Sequence, residues 1–383
     1  MSDQEANQQP GLHVDIVIQP SASHYRAPFM RNLLGSEVVG FTLLGKSADL
    51  RTDPVSADYD VLSRVQTFRD VRVWRSFRWQ QGIVSRAVLT KSSMMVLEGN
   101  PFILSTWVAM VILKLRNKPI VLWGHGWKRP DYGPKLLIRK TFYKIATAHL
   151  VYGDWAREYA GRVGLDSRRF FTVYNSVYPE LLVGLGAEEK AKFPARQPGS
   201  ISLIYCGRLT KRHSVDLAIR AACLVRESGT PVSLTIIGDG PERDALVRQS
   251  TENDAPVRFV GPLYNASELA KLYAKADFAL SPGASGLNVI QALNFGLPVI
   301  AAEGNPESGP EVEAISTGIT GYMFEDGSAQ SLRDVIVSCS RLSDEAYRTN
   351  TRAALTCVKD RYTAEKHAEA VASSLVNIYR GRI

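Results

Sequence analysis

Short apolar segments alternate with segments of helix length along most of the chain. In the first half, apolar runs of strand length occupy residues 13–20, 94–99, 119–126, 148–153 and 170–176. The pattern begins again at "SISLIYCGRL" and continues, with runs at 200–209, 232–241, 257–263, 276–283, 297–304 and 321–324. This alternation is typical of α/β proteins with parallel sheets. The sequence therefore predicts two Rossmann-like domains.

The character of the sequence shifts at residues 179–199, where Pro, Gly and charged residues occur without a strand-like run. We interpret this segment as an interdomain linker. It separates an N-terminal domain at 11–178 from a C-terminal domain at 200–362, which is followed by an amphipathic helix at 363–383. Residues 1–10 are polar and predicted to be disordered. Because ligands bind at the carboxyl ends of parallel strands, we expect the site in a cleft between the two domains.

The longest apolar run, at 101–113, is too short to cross a bilayer and predicts a buried helix. No signal peptide is recognised. The four cysteines lack the close spacing of a metal site. These features favour reduced cysteines and a cytoplasmic protein.

Positive charge is concentrated in the first half of the chain. Residues 1–180 contain 24 Lys and Arg against 15 Asp and Glu, whereas the remainder contains 22 against 23. A basic half favours acidic partners such as an anionic membrane surface, a phosphorylated lipid or nucleic acid. The alternative is a basic surface that binds no partner. We expect no nucleic-acid partner, because no interleaved aromatic platform or known binding module is present.

Membrane contact has a specific candidate segment at residues 128–146. There Lys135, Arg139, Lys140 and Lys144 are interleaved with Leu136, Leu137, Ile138 and Phe142. A basic amphipathic helix of this kind can lie in an anionic interface, which would place the protein at the inner face of the cell membrane. A solvated helix face is the alternative.

Two basic residues follow the first strand of the second half, in "YCGRLTKRH". Arg208 and Lys211 come after Gly207, at the carboxyl end of that strand. Paired cations there suit a diphosphate, because they neutralise it and stabilise the additional charge on a leaving group. An ordinary solvated turn is the alternative.

The loops after the next two strands are candidate donor-binding segments. In "GDGPERDAL", Gly238 and Gly240 allow close approach of backbone or ligand, although a G-x-G alone also occurs in ordinary loops. In "VGPLYNASEL", Pro262 and Leu263 could seat a nucleobase. Asn265 or Ser267 could instead simply cap the following helix.

A histidine in the first half lies between two glycines and two tryptophans, in "WGHGW". His125 ends a predicted strand and can form a hydrogen bond without a fixed charge at neutral pH. Trp123 and Trp127 could form a wall that stacks on a sugar ring. The alternative is a structural histidine in a loop.

The segment "SPGASGLNVIQALNFGLPVIA" has the composition of a phosphate-binding turn at the start of a helix. Free backbone N–H groups and the helix dipole favour an anion at such a turn, for which the candidates are Gly283, Ala284, Ser285, Gly286 and Leu287. Asn288 and Gln291 could bind sugar or ribose hydroxyls. Glu311, in "GPEVE", could bind donor hydroxyls or act only as an acid at a helix start.

Taken in order, these motifs resemble the GT-B glycosyltransferases of the large retaining family 4, also called glycosyl transferases group 1. The likeness is strongest from about 200 to 325, and "WGHG" and "VYNSV" extend it into the first half. It implies an α/β fold with two Rossmann-like parallel-sheet domains facing a cleft, with the C-terminal helix packing back on the first domain. It also implies that His125, Arg208 and Lys211 act on the donor, and that neither a metal nor another cofactor is needed.

The chain departs from the family pattern at three positions. Arg208 matches the family arginine that holds the donor diphosphate, but His213 stands at the usual lysine spacing and Lys211 comes two places early. In the E-x7-E motif, Gly283 replaces the first glutamate and Gln291 replaces the second. Gln291 retains an acceptor oxygen, whereas Gly283 removes a contact to the transferred sugar. The motif is therefore degenerate.

The resemblance implies transfer of a sugar from a UDP- or GDP-linked donor to a glycan or polyprenyl-phosphate-linked acceptor, with retention of configuration, in bacterial surface polysaccharide synthesis. In the front-face mechanism proposed for such enzymes the donor phosphate takes the acceptor proton, so the lost carboxylates do not exclude activity. The alternatives are a catalytically silent scaffold that binds nucleotide sugars and a nucleotide-sugar epimerase.

Overall fold

The computed structural model describes residues 11–18, 26–46, 59–176 and 198–381. The chain divides into two compact units. The first contains the described residues up to Asn175 together with those from Ala364 onward, and the second extends from Ser176 to Thr363. The predicted disordered segment 1–10 and nearly all of the predicted linker 179–199 lie outside the described residues.

The first unit is built on an eight-stranded sheet with strand order β4-β3-β2-β1-β5-β6-β7-β8. Its pairs are parallel except for β3 and β4, which form an antiparallel hairpin at one edge. The strands are β1 (His13–Val17), β2 (Gly40–Lys46), β3 (Gln66–Trp74), β4 (Phe77–Gln81), β5 (Met94–Glu98), β6 (Ile120–Gly124), β7 (Ala148–Val151) and β8 (Phe170–Thr172).

The helices of the first unit cover both faces of this sheet. They are α1 (Ala27–Leu34), α2 (Tyr59–Ser63), α3 (Ile83–Leu89), α4 (Leu104–Leu115), α5 (Gly133–Ile145), α6 (Asp154–Arg162) and the C-terminal helix α13 (Ala364–Tyr379). Apolar residues of α13, including Val371 and Leu375, share one core with Phe29 and Met30 of α1. The prediction that the C-terminal helix packs back on the first domain is thus confirmed.

A buried carboxylate anchors the centre of this sheet. Asp15 of β1 is fully buried and accepts bonds from both Arg86 Nε and Nη2 at 2.6 Å, from Thr90 Oγ1 at 2.6 Å and from Ser92 Oγ at 2.7 Å. Burial by itself would raise the pKa of Asp15, but these hydrogen bonds and the charge of Arg86 outweigh it and lower the pKa. The carboxylate therefore ties β1 to α3 and to the loop before β5.

The second unit is built on a six-stranded, wholly parallel sheet with order β11-β10-β9-β12-β13-β14. Its strands are β9 (Ile201–Cys206), β10 (Val232–Ile237), β11 (Val257–Gly261), β12 (Phe278–Ser281), β13 (Val299–Glu303) and β14 (Gly321–Glu325). Its helices are α7 (Val215–Glu227), α8 (Arg243–Glu252), α9 (Ala266–Ala274), α10 (Leu287–Asn294), α11 (Ala329–Ser340) and α12 (Asp344–Arg361). The order reverses between β9 and β12, and in open α/β sheets ligands bind beyond the carboxyl ends of strands at such a point.

The apolar run at 101–113 is less buried than predicted. It forms α4, in which Ala109, Met110 and Leu113 are buried, but Val111 and Leu115 are 52% and 80% exposed. One face of the helix packs on the sheet, and the other presents apolar side chains to solvent because this helix is apolar almost all round. None of the helices in the described ranges is both long and apolar enough to cross a membrane.

Candidate functional site

Three loops meet backbone to backbone at the carboxyl ends of β9, β10 and β11. The Gly207 N–H donates to Ile237 O at 3.0 Å, Leu209 N–H to Asp239 O at 2.9 Å and Gly238 N–H to Gly261 O at 2.9 Å. A Cβ atom on Gly238 would lie 1.9 Å from Gly207 O, and one on Gly240 would lie 2.3 Å from Leu209 O. The two glycines therefore serve to join the loops, and a donor-binding role for them stays a prediction.

The turn after β9 carries exposed positive charge. Arg208, Lys211 and Arg212 are all exposed, and none forms an ion pair within the part of the chain that the structure describes. Lys211 begins a 3-10 helix that ends at His213. Of these cations, Arg212 was not singled out from the sequence, although the run "KRH" directly after a strand was a visible signal for it.

The histidine at the lysine position of the family is held within this turn. His213 Nδ1 lies 2.8 Å from Thr210 Oγ1. Burial lowers the pKa of the half-buried His213 below its usual value, and the charge of Arg212 lowers it further. The ring is therefore neutral at pH 7. Ser214, which follows, adopts the left-handed conformation, with φ 48°.

Gly283, after β12, lies directly against this turn. A Cβ atom there would be 2.5 Å from Arg212 O, 2.7 Å from His213 C and 2.8 Å from Ser214 Oγ. The next residue, Ala284, donates its N–H to Arg212 O at 2.8 Å. The space in which a side chain at 283 would begin is thus filled by backbone, so the first glutamate of the family motif has no room here.

Three of the N–H groups expected to bind phosphate are hydrogen-bonded within the protein. The N–H of Ala284 is bonded to Arg212 O, that of Ser285 to Ser308 Oγ at 3.0 Å, and that of Gly286 to Asn288 Oδ1 at 2.9 Å. Ser285 is also fully buried. These three residues hold the turn together, and their N–H groups are engaged within the protein. The N–H groups left for an anion belong to Leu287 and Asn288, which open α10 and have no intrahelical acceptor.

Asn288 and Gln291 differ in what they can bind. The Asn288 side chain accepts from Gly286 N–H and donates to Ser281 Oγ at 3.1 Å, so both of its ends organise the turn. Asn288 therefore has a structural role in this turn, and its binding of hydroxyls stays a prediction. Gln291 is half-buried on α10, and its amide has no hydrogen-bond partner among the described residues.

The loop after β13 braces the turn at 283–286. Gly309 donates its N–H to Ser285 O at 2.7 Å, while Ser308 Oγ accepts from Ser285. Glu311 lies in the 3-10 helix Pro310–Ala314, and it is only 4% exposed. Its carboxylate lies beside Gly309, close to where a Cβ atom of that residue would be. A role for Glu311 in binding donor hydroxyls stays a prediction.

The predicted base-binding loop follows β11. Pro262 is exposed and Leu263 half-buried directly after Gly261, beside the loop of Gly238. Asn265 caps α9, since its side chain accepts the Glu268 N–H at 3.0 Å. Of the alternatives for this segment, helix capping applies to Asn265, whereas a nucleobase seat at Pro262 and Leu263 stays a prediction.

His125 belongs to the first unit and directly follows β6. Its ring is exposed on one side and packs edge-on against Tyr152 at 5.1 Å. Desolvation by surrounding protein, together with the charges of Lys128 and Arg26, lowers the pKa of His125 below its usual value. The imidazole is therefore neutral at pH 7.

The expected aromatic wall beside His125 is wrong. Trp123 is fully buried against Phe29 and Tyr152, and Trp127 is 2% exposed and packs on Tyr143. Both rings are core side chains, since Trp123 belongs to one buried apolar cluster of the first unit and Trp127 to another. They cannot stack on a sugar.

A charged cluster, which the sequence did not indicate, lies at the same end of the first sheet. Glu98 ends β5 and accepts from Gln80 Nε2 at 2.9 Å, with Lys46 Nζ at 4.0 Å. Lys46 also pairs with Asp70 at 3.3 Å. Burial raises the pKa of Glu98, although Lys46 opposes this effect. The register pairs Glu98 with Trp123, so the cluster lies on the strand next to the one that presents His125.

The predicted membrane helix is shorter than expected and begins at Gly133. Its basic residues are not equivalent, since buried Asp131 pairs with Lys135 at 2.8 Å and with Arg139 at 3.2 Å. Phe142 points into the core, so it is not part of an exposed apolar face. The exposed apolar residues are Leu137 and Ile138, which are 67% and 54% exposed.

Two negative findings concern metals and disulfides. No group of three or more His, Cys, Asp or Glu side chains within the described ranges is arranged to hold a metal ion. All four cysteines are free.

Comparison with known sequences finds a family match within the second unit. Residues 200–341 match the family described as "Glycosyl transferases group 1". The GDP-mannose-dependent alpha-(1-6)-phosphatidylinositol dimannoside mannosyltransferase of Mycobacterium tuberculosis (strain ATCC 25177 / H37Ra) is 32% identical over 133 residues, which are 31% of this chain and 34% of that protein. Sulfoquinovosyl transferase SQD2 of Arabidopsis thaliana is 28% identical over 220 residues, 52% of this chain and 39% of that protein. The matches thus span little more than a third of these relatives.

Solved structures extend the likeness to the whole chain. Anabaena HepE, solved in complex with UDP, superposes with a TM-score of 0.67 over 96% of this chain and 100% of its own, at 15% identity. The sucrose-phosphate synthase of Thermosynechococcus elongatus gives a TM-score of 0.67 over 97% and 99%, at 16% identity. Identities this low establish the fold alone. Residues 200–341 are therefore similar to the group 1 glycosyltransferases, and the chain has the two-unit α/β fold of GT-B glycosyltransferases.

Proposed function

We propose that this protein is a glycosyltransferase that moves a hexosyl group from a nucleoside-diphosphate sugar to a glycan or a polyprenyl-phosphate-linked acceptor. The observation that carries the proposal is the switch point of the second sheet. There the turn after β9 and the start of α10 bring exposed Arg208 and Lys211 to the same edge as the open N–H groups of Leu287 and Asn288. Helix N-termini and arginine side chains are both suited to phosphate.

Each group at this edge has a separate task in the proposal. Arg208 and Lys211 bind the diphosphate and stabilise the charge that develops on it as the sugar leaves, so that protein cations do the work of a metal ion. The N–H groups at the start of α10 donate to a phosphate oxygen. The free amide of Gln291 binds ribose hydroxyls.

The first unit supplies the remaining proposed contacts. A neutral His125 can accept or donate a hydrogen bond to a hydroxyl of the transferred sugar without competing for the phosphate charge. We propose retention of configuration, with the leaving phosphate taking the acceptor proton. A role in bacterial surface polysaccharide synthesis follows from the proposed lipid-linked or glycan acceptor.

A cytoplasmic protein that acts on such acceptors would work at the membrane surface. Leu137 and Ile138 on α5, and Val111 and Leu115 on α4, are more than half exposed. Lys140 and Lys144 on α5 form no ion pair with described residues, so their charge is available to anionic lipid. We propose peripheral attachment through this face.

Calorimetric titration with UDP and with GDP tests the donor site. We expect micromolar binding of one nucleotide and at least a tenfold loss of affinity in Arg208→Ala, because a charge-assisted contact is worth about 1.5–3 kcal/mol. Arg352→Ala is the matched control, since Arg352 is an exposed arginine on α12 of the same unit. Unchanged affinity in Arg208→Ala would contradict the assignment.

The missing family carboxylates favour one alternative, a silent scaffold that binds nucleotide sugar without turning it over. Incubation of the matching nucleotide sugar with lipid-linked acceptors separates the possibilities. Product formed only with acceptor supports the transferase, and the NMR coupling of its anomeric proton reports retention. Nucleotide binding without any product indicates the scaffold, whereas conversion of the donor without acceptor indicates an epimerase.

Sedimentation with liposomes tests the membrane face. We expect the protein to sediment with anionic but not neutral vesicles, and the double variant Leu137→Ala/Ile138→Ala to sediment less. Ile319→Ala is the control, because Ile319 is 56% exposed in the second unit. Equal sedimentation with both kinds of vesicle would count against attachment by this face.

A further inference from the structure

The hairpin formed by β3 and β4 extends beyond the sheet to which it belongs. β3 pairs in parallel with β2 as far as Phe68, and from Arg69 to Trp74 it pairs with β4. Because β2 and β3 run in the same direction, the second half of β3 lies past the carboxyl end of β2. The turn at the tip, Arg75 and Ser76, is exposed. The hairpin therefore projects from the end of the sheet at which ligands of α/β proteins bind.

One face of this hairpin is apolar and open to solvent. The register places Val71 opposite Trp79 and, nearer the tip, Trp74 opposite Phe77. Val71 is 40% exposed and Trp74 is 59% exposed, and Val73, where the register shifts between them, is 57% exposed. Exposed apolar side chains that lie together on a soluble protein mark a surface that binds another protein or a membrane.

The indole of Trp74 is held in place by its neighbours. Phe77 lies nearly parallel to it, with ring centroids 6.0 Å apart, and the Arg75 guanidinium lies over the indole at 4.7 Å. Phe77 also packs edge-on against Phe102 at 5.7 Å, and Phe102 O accepts the Arg78 N–H at 2.9 Å, which joins the hairpin to the loop before α4. A ring that is already covered by a phenyl group and a guanidinium is poorly suited to stacking on a sugar.

The same segment carries positive charge that no acid of the hairpin neutralises. Arg69, Arg72 and Arg75 are exposed, and none of them forms an ion pair with a described residue. The only acid between Arg69 and Arg78 in the sequence is Asp70, which is already paired with Arg78 at 2.8 Å. Three like charges around one apolar tip oppose the docking of a second copy of the hairpin and favour an anionic partner.

We infer that the tip of this hairpin inserts into the surface of an anionic phospholipid bilayer, with Trp74 at the level of the headgroups and the arginines on lipid phosphates. Tryptophan favours that region because its ring is apolar and its N–H is polar. Arginine reaches phosphate while its stem lies along apolar surface. This inference rests on the proposed attachment of the protein to a membrane, to which it adds a contact separate from the face on α4 and α5.

Brominated lipids test the position of Trp74, because bromine on an acyl chain quenches only tryptophans that enter the bilayer. Vesicles of phosphatidylglycerol and phosphatidylcholine are compared with vesicles of the same composition that carry brominated chains. We expect the fluorescence of the wild type to be quenched and Trp74→Phe to lose the larger part of that quenching. Trp155→Phe is the matched control, since Trp155 is a half-buried tryptophan on α6, and it should be quenched like the wild type. Unchanged quenching in Trp74→Phe would overturn the inference.

Vesicle sedimentation tests the arginines. Arg72→Gln/Arg75→Gln should bind anionic vesicles at least tenfold more weakly than the wild type, because each arginine near an anionic surface contributes about fivefold in affinity. Arg157→Gln/Arg169→Gln removes the same charge from exposed positions elsewhere in the first unit and should change binding far less. Equal weakening in both double variants would overturn the inference and leave attachment through α4 and α5 intact. Failure of the wild type to sediment with anionic vesicles would overturn both, while the nucleotide titration still decides the donor site.

Discussion

Restoring a side chain at Gly283 should destabilise the second unit even though it moves the sequence towards the family pattern. The first atom added by Gly283→Ala would lie 2.5 Å from Arg212 O and 2.7 Å from His213 C. Both are backbone atoms, which cannot swing away as the end of a flexible side chain could. The turn would have to move, and the Ala284 N–H bond to Arg212 O would be lost with it.

The magnitude follows from these two effects. Overpacking a tight site costs about 1–3 kcal/mol, and a lost hydrogen bond costs about 1 kcal/mol. We expect Gly283→Ala to lower the free energy of unfolding of the second unit by about 2–4 kcal/mol, and Gly283→Glu to lower it at least as much. Gly286→Ala is the matched control, because a Cβ atom there would meet only Asn288 Oδ1, at an ordinary 3.8 Å. Its effect should stay within about 0.5 kcal/mol.

The distribution of tryptophan makes the assay specific to one unit. All six tryptophans lie between Trp74 and Trp155, in the first unit. Urea unfolding followed by tryptophan fluorescence therefore reports the first unit, while far-UV circular dichroism reports both. We expect Gly283→Ala to move the circular dichroism transition to lower urea and to leave the fluorescence transition in place. A Gly283→Glu variant as stable as the wild type, with increased transfer activity, would refute the reasoning.

Three further predictions concern stability. Asp15→Asn should lower the free energy of unfolding by about 3–5 kcal/mol near pH 7, because it leaves Arg86 facing a neutral amide. Since the pKa of Asp15 is lowered in the native state, this stabilisation is fully present above about pH 4 and is lost as the pH falls through the native pKa. Urea unfolding monitored by fluorescence should therefore show the difference in stability between variant and wild type becoming smaller in acid. His149 is buried and stacks on Phe170 at 4.1 Å, and its pKa is lowered to about 3. Below about pH 6.5, therefore, His149 is protonated in the unfolded state but stays neutral in the native state. His149→Phe should reduce the loss of stability between about pH 6.5 and 4 by roughly 1.4 kcal/mol per pH unit, and identical slopes would contradict this. Ser214→Gly should raise stability by about 0.5–1 kcal/mol in circular dichroism melts, because φ is 48° there; a lower melting temperature would show that the hydroxyl matters more.

The sheets could be predicted wherever strands are buried on both faces. Each apolar run identified in the two halves overlaps a strand of the structure, from β1 at His13–Val17 to β14 at Gly321–Glu325. Such strands read as continuous apolar segments because helices cover both sides of a parallel sheet. The family resemblance supplied the place of the C-terminal helix, which a run of alternating alanine and charge could not have given alone.

The edge of the first sheet could not be predicted in the same way. In β3, only Phe68 is buried, and the sequence "QTFRDVRVW" mixes arginine with valine on exposed positions. Without a buried face, the strand leaves no apolar run to find. Its partner β4 and the neighbouring β2 were missed with it, although β2 contains the apolar "FTLL".

The candidate site was predicted as a location more accurately than as a set of contacts. Sequence placed Arg208, Lys211 and the start of α10 near the ends of β9 and β12, where the sheet order reverses. It could not show that the N–H groups of Ala284 and Ser285 are already bonded, because their acceptors, Arg212 O and Ser308 Oγ, lie 72 and 23 residues away in sequence. Contacts of that span leave no local pattern.

The departures from the family motif make physical sense as one change, not as several. A turn that brings Arg212 and Ser214 against the β12 loop requires glycine at 283, because any Cβ atom there meets backbone. Once glycine is there, the carboxylate of the motif is absent, and the exposed cations of the same turn act without a neighbouring negative charge at that position.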